Sequence, residues 1–113
     1  MFIDATGYCS KSVNLNEIAW SVGDSRNGHG TMYNTLNNSN TVSIELCDMI
    51  DHEPTAKQKE KLIRVIKYIK KYCPNVRYIV RHYDITTKCC PAYYVSHKDK
   101  WYKLQKELLK YIK

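Results

Sequence analysis

Apolar and polar side chains alternate strictly over residues 41–47, with Val42, Ile44 and Leu46 on one face and Thr41, Ser43, Glu45 and Cys47 on the other. A period of two residues predicts a strand with one buried face. The opposite face is small and polar around a single carboxylate, Glu45, which suits the floor of a site better than a second packing surface. Further along, Leu62, Val65, Ile66, Ile69 and Cys73 recur at spacings of three and four, forming one apolar helical stripe. Thr55 and Gln58 stand ahead of that stripe in a capping-box pattern and Pro74 closes it, so a helix is predicted over about 56–72. Val76, Tyr78 and Val80 then alternate with Arg77, Ile79 and Arg81, predicting a second strand that delivers His82 at its C-terminal end. Trp101, Leu104, Leu108 and Ile112 make a closing amphipathic helix, with Ser96 and Asp99 as cap residues.

Strands separated by a helix call for an α/β sheet with at least one parallel pair. Residues 12–20 mix short apolar alternation with turn formers, and residues 23–40, rich in Gly, Asn and Ser, read as a long loop. A loop of that length in a small domain is usually functional. The whole chain, 113 residues without repeats or a linker, fits a single domain, 1–113.

Composition narrows the partners. No apolar run approaches the roughly 20 residues that span a bilayer. The first residues, Met-Phe-Ile-Asp-Ala-Thr-Gly, lack a basic and apolar export signal, so synthesis in the cytoplasm is expected, with release by other means if the chain acts outside. The net charge of +7 is uneven: residues 1–54 carry two basic and seven acidic side chains, residues 55–113 sixteen basic and four acidic. A cationic second half favours an anionic partner, nucleic acid or a wall bearing acidic polymers, although most of its lysines fall on solvated helix faces. No nucleic-acid-binding motif accompanies them, so nucleic acid is set aside. The five cysteines are an odd count without the spacing of a disulfide framework, and Cys47 and Cys73 read as small core hydrophobes.

The chemistry concentrates in His82, Asp84, Lys88 and Cys90, which lie within nine residues. An imidazole and a thiolate brought together by a folded-back loop suit one zinc ion, with ligand bonds of about 2.0–2.3 Å. Lys88, two residues before Cys90, would lower the thiol pKa and aim a cation at a polarised oxygen. Pro91 stiffens the exit from this loop.

The pattern His82-x-Asp84-x-x-x-Lys88-x-Cys90-Pro91 resembles the closing motif of the type 2 N-acetylmuramoyl-L-alanine amidases, which include phage lysozyme-type amidases and peptidoglycan recognition proteins. Asn16-Glu-Ile-Ala-Trp-Ser-Val-Gly23 resembles the family's Ala-Trp-His-Val-Gly segment, with Ser21 in place of the histidine, and Asn40-Thr-Val-Ser-Ile-Glu-Leu46 resembles its Asn-Ser-Ile-Gly-Ile-Glu strand.

The resemblance implies a mixed β-sheet flanked by helices. It makes His82 and Cys90 zinc ligands, Lys88 the oxyanion cation, Glu45 the water-activating carboxylate, and Trp20 and Asn40 substrate contacts. The implied reaction is hydrolysis of the amide between N-acetylmuramic acid and L-alanine in peptidoglycan by zinc-activated water, as in a phage or prophage endolysin or a bacterial autolysin. Set against the family, Met1-Phe-Ile-Asp aligns within the second strand. The first strand with its zinc-binding histidine, and the helix after it, are therefore expected to be missing. The implied alternatives are a peptidoglycan-binding fragment without catalysis and a homodimer joined through exposed sheet edges. His29, in the glycine-rich loop, reads by default as a solvated loop histidine, and it, Cys9 and Cys89 are the candidates to substitute for the third ligand.

Overall fold

A computed structural model describes residues 1–11, 28–36, 40–47 and 51–113. The elements run β1 (Phe2–Ile3), β2 (Cys9–Ser10), β3 (Glu45–Leu46), α1 (Ala56–Tyr72), α2 (His82–Thr86), α3 (Ala92–Ser96) and α4 (Lys98–Leu109). Asp4 turns the chain between the first two strands. Its carboxylate accepts hydrogen bonds from the backbone N–H of Thr6 (2.9 Å) and Tyr8 (3.0 Å), and Gly7 takes the positive φ of 84° that the turn requires. The hydroxyl of Thr6 donates to the same carboxylate and, more than the backbone donors, holds the acid below its ordinary pKa.

The strands form a mixed sheet in the order β2-β1-β3, with β1 antiparallel to β2 and parallel to β3. The α/β architecture with helices beside a mixed sheet is thus the one expected. Glu45 N–H donates to Met1 O (2.6 Å) and Cys47 N–H to Ile3 O (2.9 Å), so the parallel register leaves Leu46 packed on the core and Glu45 exposed. Ile44 also packs inward, whereas Val42, expected on the same face, is exposed because the ladder does not reach it.

Helix α1 begins as its capping box dictates: the hydroxyl of Thr55 accepts from Gln58 N–H (3.1 Å) and Gln58 Oε1 accepts from Thr55 N–H (3.0 Å). Gln58 is fully buried, and its Nε2 donates to Ile3 O (3.2 Å) and Cys47 O (2.9 Å), fastening the helix start to the ends of β1 and β3. Leu62, Val65, Ile66 and Ile69 of α1 join Ile3, Tyr94, Trp101, Leu104, Leu108 and Ile112 in the main core. Helix α4 is entered from His97 rather than from Ser96, whose hydroxyl donates instead to the α3 carbonyls of Ala92 (3.2 Å) and Tyr93 (3.1 Å). Asp99 lies in its first turn, where a negative charge favours the helix dipole.

The second predicted strand is corrected. Residues 76–80 belong to no ladder, and their faces are not the alternating ones: Tyr78 is exposed, Ile79 packs on the main core, Val80 joins Leu36 and Ile85 in a second cluster, and Arg81 is buried. What holds the segment is side-chain bonding from the helices beside it. Gln105 Nε2 of α4 donates to Ile79 O (2.6 Å), and Lys70 Nζ of α1 donates to Pro74 O (2.6 Å). His82 accordingly opens a short helix instead of ending a strand. No helix among the described residues is long and apolar enough to cross a membrane.

Candidate active site

Arg81 and Asp84 build the corner that carries His82. The Asp84 carboxylate accepts from Arg81 N–H (2.8 Å), which caps α2, and receives a forked ion pair from the same residue's guanidinium, Nη2 to Oδ1 at 2.7 Å and Nε to Oδ2 at 3.2 Å. The third arm, Nη1, donates to Tyr94 O in α3 (3.0 Å), and the guanidinium lies 5.4 Å from the ring centroid of Trp101. With 7% exposure at Arg81 and 15% at Asp84, the pair is screened little by solvent, and breaking it would strand a buried charge. Its structural consequence is direct. The charge pair joins the start of α2 to α3, on either side of the loop that carries Cys90.

That loop folds back as expected. Tyr83 N–H donates to Cys90 O (3.1 Å), so the residue after His82 is bonded to Cys90. Thr87 adopts the left-handed conformation at φ 61°, with its N–H on Tyr83 O (3.0 Å), ending α2 after a single turn. The carbonyls at the end of α2 are taken up by the glycine-rich loop: Ile85 O accepts from Gly30 N–H (2.8 Å) and Asp84 O from Met32 N–H (2.7 Å). A side chain at Gly30 would run into the Asp84 backbone, so the loop can dock only with glycine there. Loop residue Leu36 packs on Ile85, and Thr35 O accepts from Asn40 Nδ2 (2.8 Å).

Between residues 40–46 and 75–81 lies a cleft of about 630 Å³, lined by core residues together with Asn40, Glu45, His82 and Cys90. Four residues singled out along the sequence therefore share the lining of one cleft. Lys88 is exposed and is not part of that lining, yet its charge acts on the Cys90 thiol. Burial pushes this thiol above its ordinary pKa, the Glu45 carboxylate adds to the rise, and Lys88 opposes both. The expected lowering by Lys88 is present but outweighed. Trp20, and with it the Ala-Trp segment and Ser21, lies outside the described residues.

The donors fit zinc in kind, an imidazole and a thiol, but a catalytic zinc takes three protein ligands. Among the described residues no cluster of three or more His, Cys, Asp or Glu side chains could hold a metal ion. His29 stacks on Tyr33 with ring centroids 3.7 Å apart. The described residues thus supply two positions of the motif and leave the donor set one short. Arg81 is the residue that the sequence pattern concealed. The signal available for it was the spacing Arg81-x-x-Asp84, which places two opposite charges on one helical turn.

The chain can be set beside known proteins on this geometry. A family model described as N-acetylmuramoyl-L-alanine amidase matches residues 1–93, which include β1–β3, α1, α2 and the whole His82 to Pro91 motif. The N-acetylmuramoyl-L-alanine amidase CwlL of Bacillus licheniformis is 32% identical over 84 residues, covering 72% of this chain and 23% of CwlL. The chain therefore spans about a quarter of the length of that relative. No solved structure matches it. Matching the family model over most of its length, the chain belongs to the N-acetylmuramoyl-L-alanine amidase family.

Proposed function

We propose that the chain hydrolyses the amide between N-acetylmuramic acid and L-alanine in peptidoglycan, as a phage or prophage endolysin or a bacterial autolysin, with zinc held by His82 and Cys90. The observation that carries this reading is the convergence of Asn40, Glu45, His82 and Cys90 on one cleft, from two stretches of chain separated by all of α1.

Zinc, when bound, would supply an acidified water and polarise the amide carbonyl. The protein's own residues do the rest. Glu45, exposed at the rim with its carboxylate free of the core, takes the proton of the attacking water and passes it to the leaving amine. Lys88, exposed two residues before Cys90 and outside the cleft lining, is proposed as the cation that reaches the oxyanion once substrate is bound. Asn40, whose amide donates to Thr35 O, lines the same cleft and is proposed with Trp20 as a contact for the glycan or peptide. Arg81 keeps α2 and α3 at the spacing that brings His82 and Cys90 together.

Release of peptides beginning with L-alanine from purified peptidoglycan tests the reading. Activity that is abolished by a chelator, restored by zinc, and lost in Cys90→Ser and Glu45→Gln is the expected result. No release at saturating zinc would sink the proposal for this chain. A second reading, a module that holds peptidoglycan without cleaving it, is favoured by the donor set that stops one short among the described residues. Muropeptide binding without any released peptide would select it.

A further inference from the structure

A second concavity, of about 480 Å³, lies where the C-terminal ends of α1 and α4 approach residues 74–77. Its charged lining is entirely basic: Lys70, Arg77 and Lys113, above an apolar floor of Leu109 and Ile112. Lys70 is fixed in place by its bond to Pro74 O at 2.6 Å, which leaves its charge at the concavity instead of sweeping through solvent. The lysines extend beyond it. Lys67 Nζ sits 5.2 Å from the Tyr111 ring centroid, bridging α1 to the tail of α4, and Lys71 and Lys110 are exposed beside it. The acids on these two faces are already engaged, Glu60 with Arg64 (3.3 Å) and Glu107 with Lys59 (2.9 Å). Leu109, Ile112 and Lys113 all lie beyond residue 93, where the family match ends.

We propose that this concavity docks a phosphodiester-linked anionic polymer of the cell wall, one phosphate seated among Lys70, Arg77 and Lys113 and the chain running on over the neighbouring lysines. A guanidinium offers the fork that a phosphate accepts, and the ammonium groups add point charge around it. Residues 75–77 and Ile112 line both this concavity and the cleft, so a polymer held here anchors the wall beside the site that would cut it. The choice of a wall polymer over other polyanions rests on the amidase reading given above.

The test is co-sedimentation of the whole chain with purified walls, with a chelator present so that retention needs no hydrolysis. Walls carrying the phosphodiester polymer are compared with the same walls stripped of it by hydrofluoric acid. Retention on the intact walls should exceed that on the stripped walls on the order of tenfold. The double variant Arg77→Glu, Lys113→Glu should fall to the stripped level. One seated phosphate, at a slope of about 0.7, implies roughly a threefold loss of affinity between about 50 and about 200 mM salt, and more for each further phosphate held by the neighbouring lysines. Lys113→Glu alone lies past the last core residue and should weaken retention without disturbing the fold, which circular dichroism checks. Equal retention on stripped walls, unchanged retention of either variant, or equal affinity for single-stranded DNA at matched salt would overturn the proposal. Peptide release from polymer-free muropeptides is measured separately. Its absence alongside polymer-dependent retention counts against the amidase reading only, and its presence without such retention counts against the docking site only.

Discussion

The helical half of the molecule and the end that carries the motif are held by different forces. Helices α1 and α4 close over Ile3 through a continuous apolar core, in which Leu108 is 2% and Trp101 5% exposed. Among the described residues the motif end has the small Leu36 and Ile85 cluster, and its shape comes from polar links: the Arg81–Asp84 fork, the arm to Tyr94 O, and loop N–H groups on the carbonyls of α2. Apolar burial is forgiving of direction, whereas hydrogen bonds and ion pairs fix it. The first half thus supplies stability and the second supplies geometry, and substitutions should separate the two.

The largest effect is expected from Arg81→Ala, which leaves Asp84 buried without its partner and should cost about 3–5 kcal/mol in denaturant unfolding. Peptide release should vanish even at temperatures where circular dichroism shows the variant folded. Ile3→Ala opens a cavity in the main core away from the cleft lining, at about 2–5 kcal/mol. Its melting temperature should drop, but release per folded molecule should stay near that of the parent. An outcome in which Ile3→Ala alone abolished release would erase the distinction between the halves. Gly30→Ala forces the loop away from the Asp84 backbone and should cost about 1–3 kcal/mol, with a loss of release out of proportion to the loss of stability. Thr55→Ala removes the α1 cap and should cost about 1 kcal/mol with no change in release per folded molecule.

The smallest effect is confined to alkaline solution. Burial first, and the charges of Glu53 and Glu107 with it, push Tyr94 up to about 12. Its folded pKa lies above the unfolded value near 10, so its stabilising contribution is whole below about pH 10 and is lost as pH rises through about 12. Ultraviolet titration should show one tyrosine ionising only as the protein unfolds.

How legible these halves were in the sequence follows from the same division. The stripe from Leu62 to Ile69 and the stripe from Trp101 to Leu108 announced their helices because one core decides every position along them, and the Thr55 and Gln58 cap gave α1 its start. Ile44, Glu45 and Leu46 kept their predicted faces for the same reason. Residues 76–81 did not. Both of their alternating faces mix apolar and polar side chains, so periodicity could not say which turned inward, and Ile79 is drawn in by α4 while Tyr78 is left in solvent. Arg81 was named only as one position of the predicted strand, because its burial depends on Asp84, Tyr94 and Trp101, contacts that no local pattern displays. The meeting of Glu45 with His82 and Cys90 was legible only through the resemblance, since about forty residues of chain separate them.

The fully buried amide of Gln58 has one further consequence. Its three bonds reach Thr55 at the head of a helix, Ile3 in one strand and Cys47 just past another, and an amide left buried with any of these unmade costs about 1–3 kcal/mol. Partly assembled states, with the helix docked on the hairpin but β3 still away, carry that penalty in full. The glutamine therefore acts as a proofreading device for assembly, rewarding only the arrangement in which helix and both parallel strands are present together, and making that corner fold as one unit.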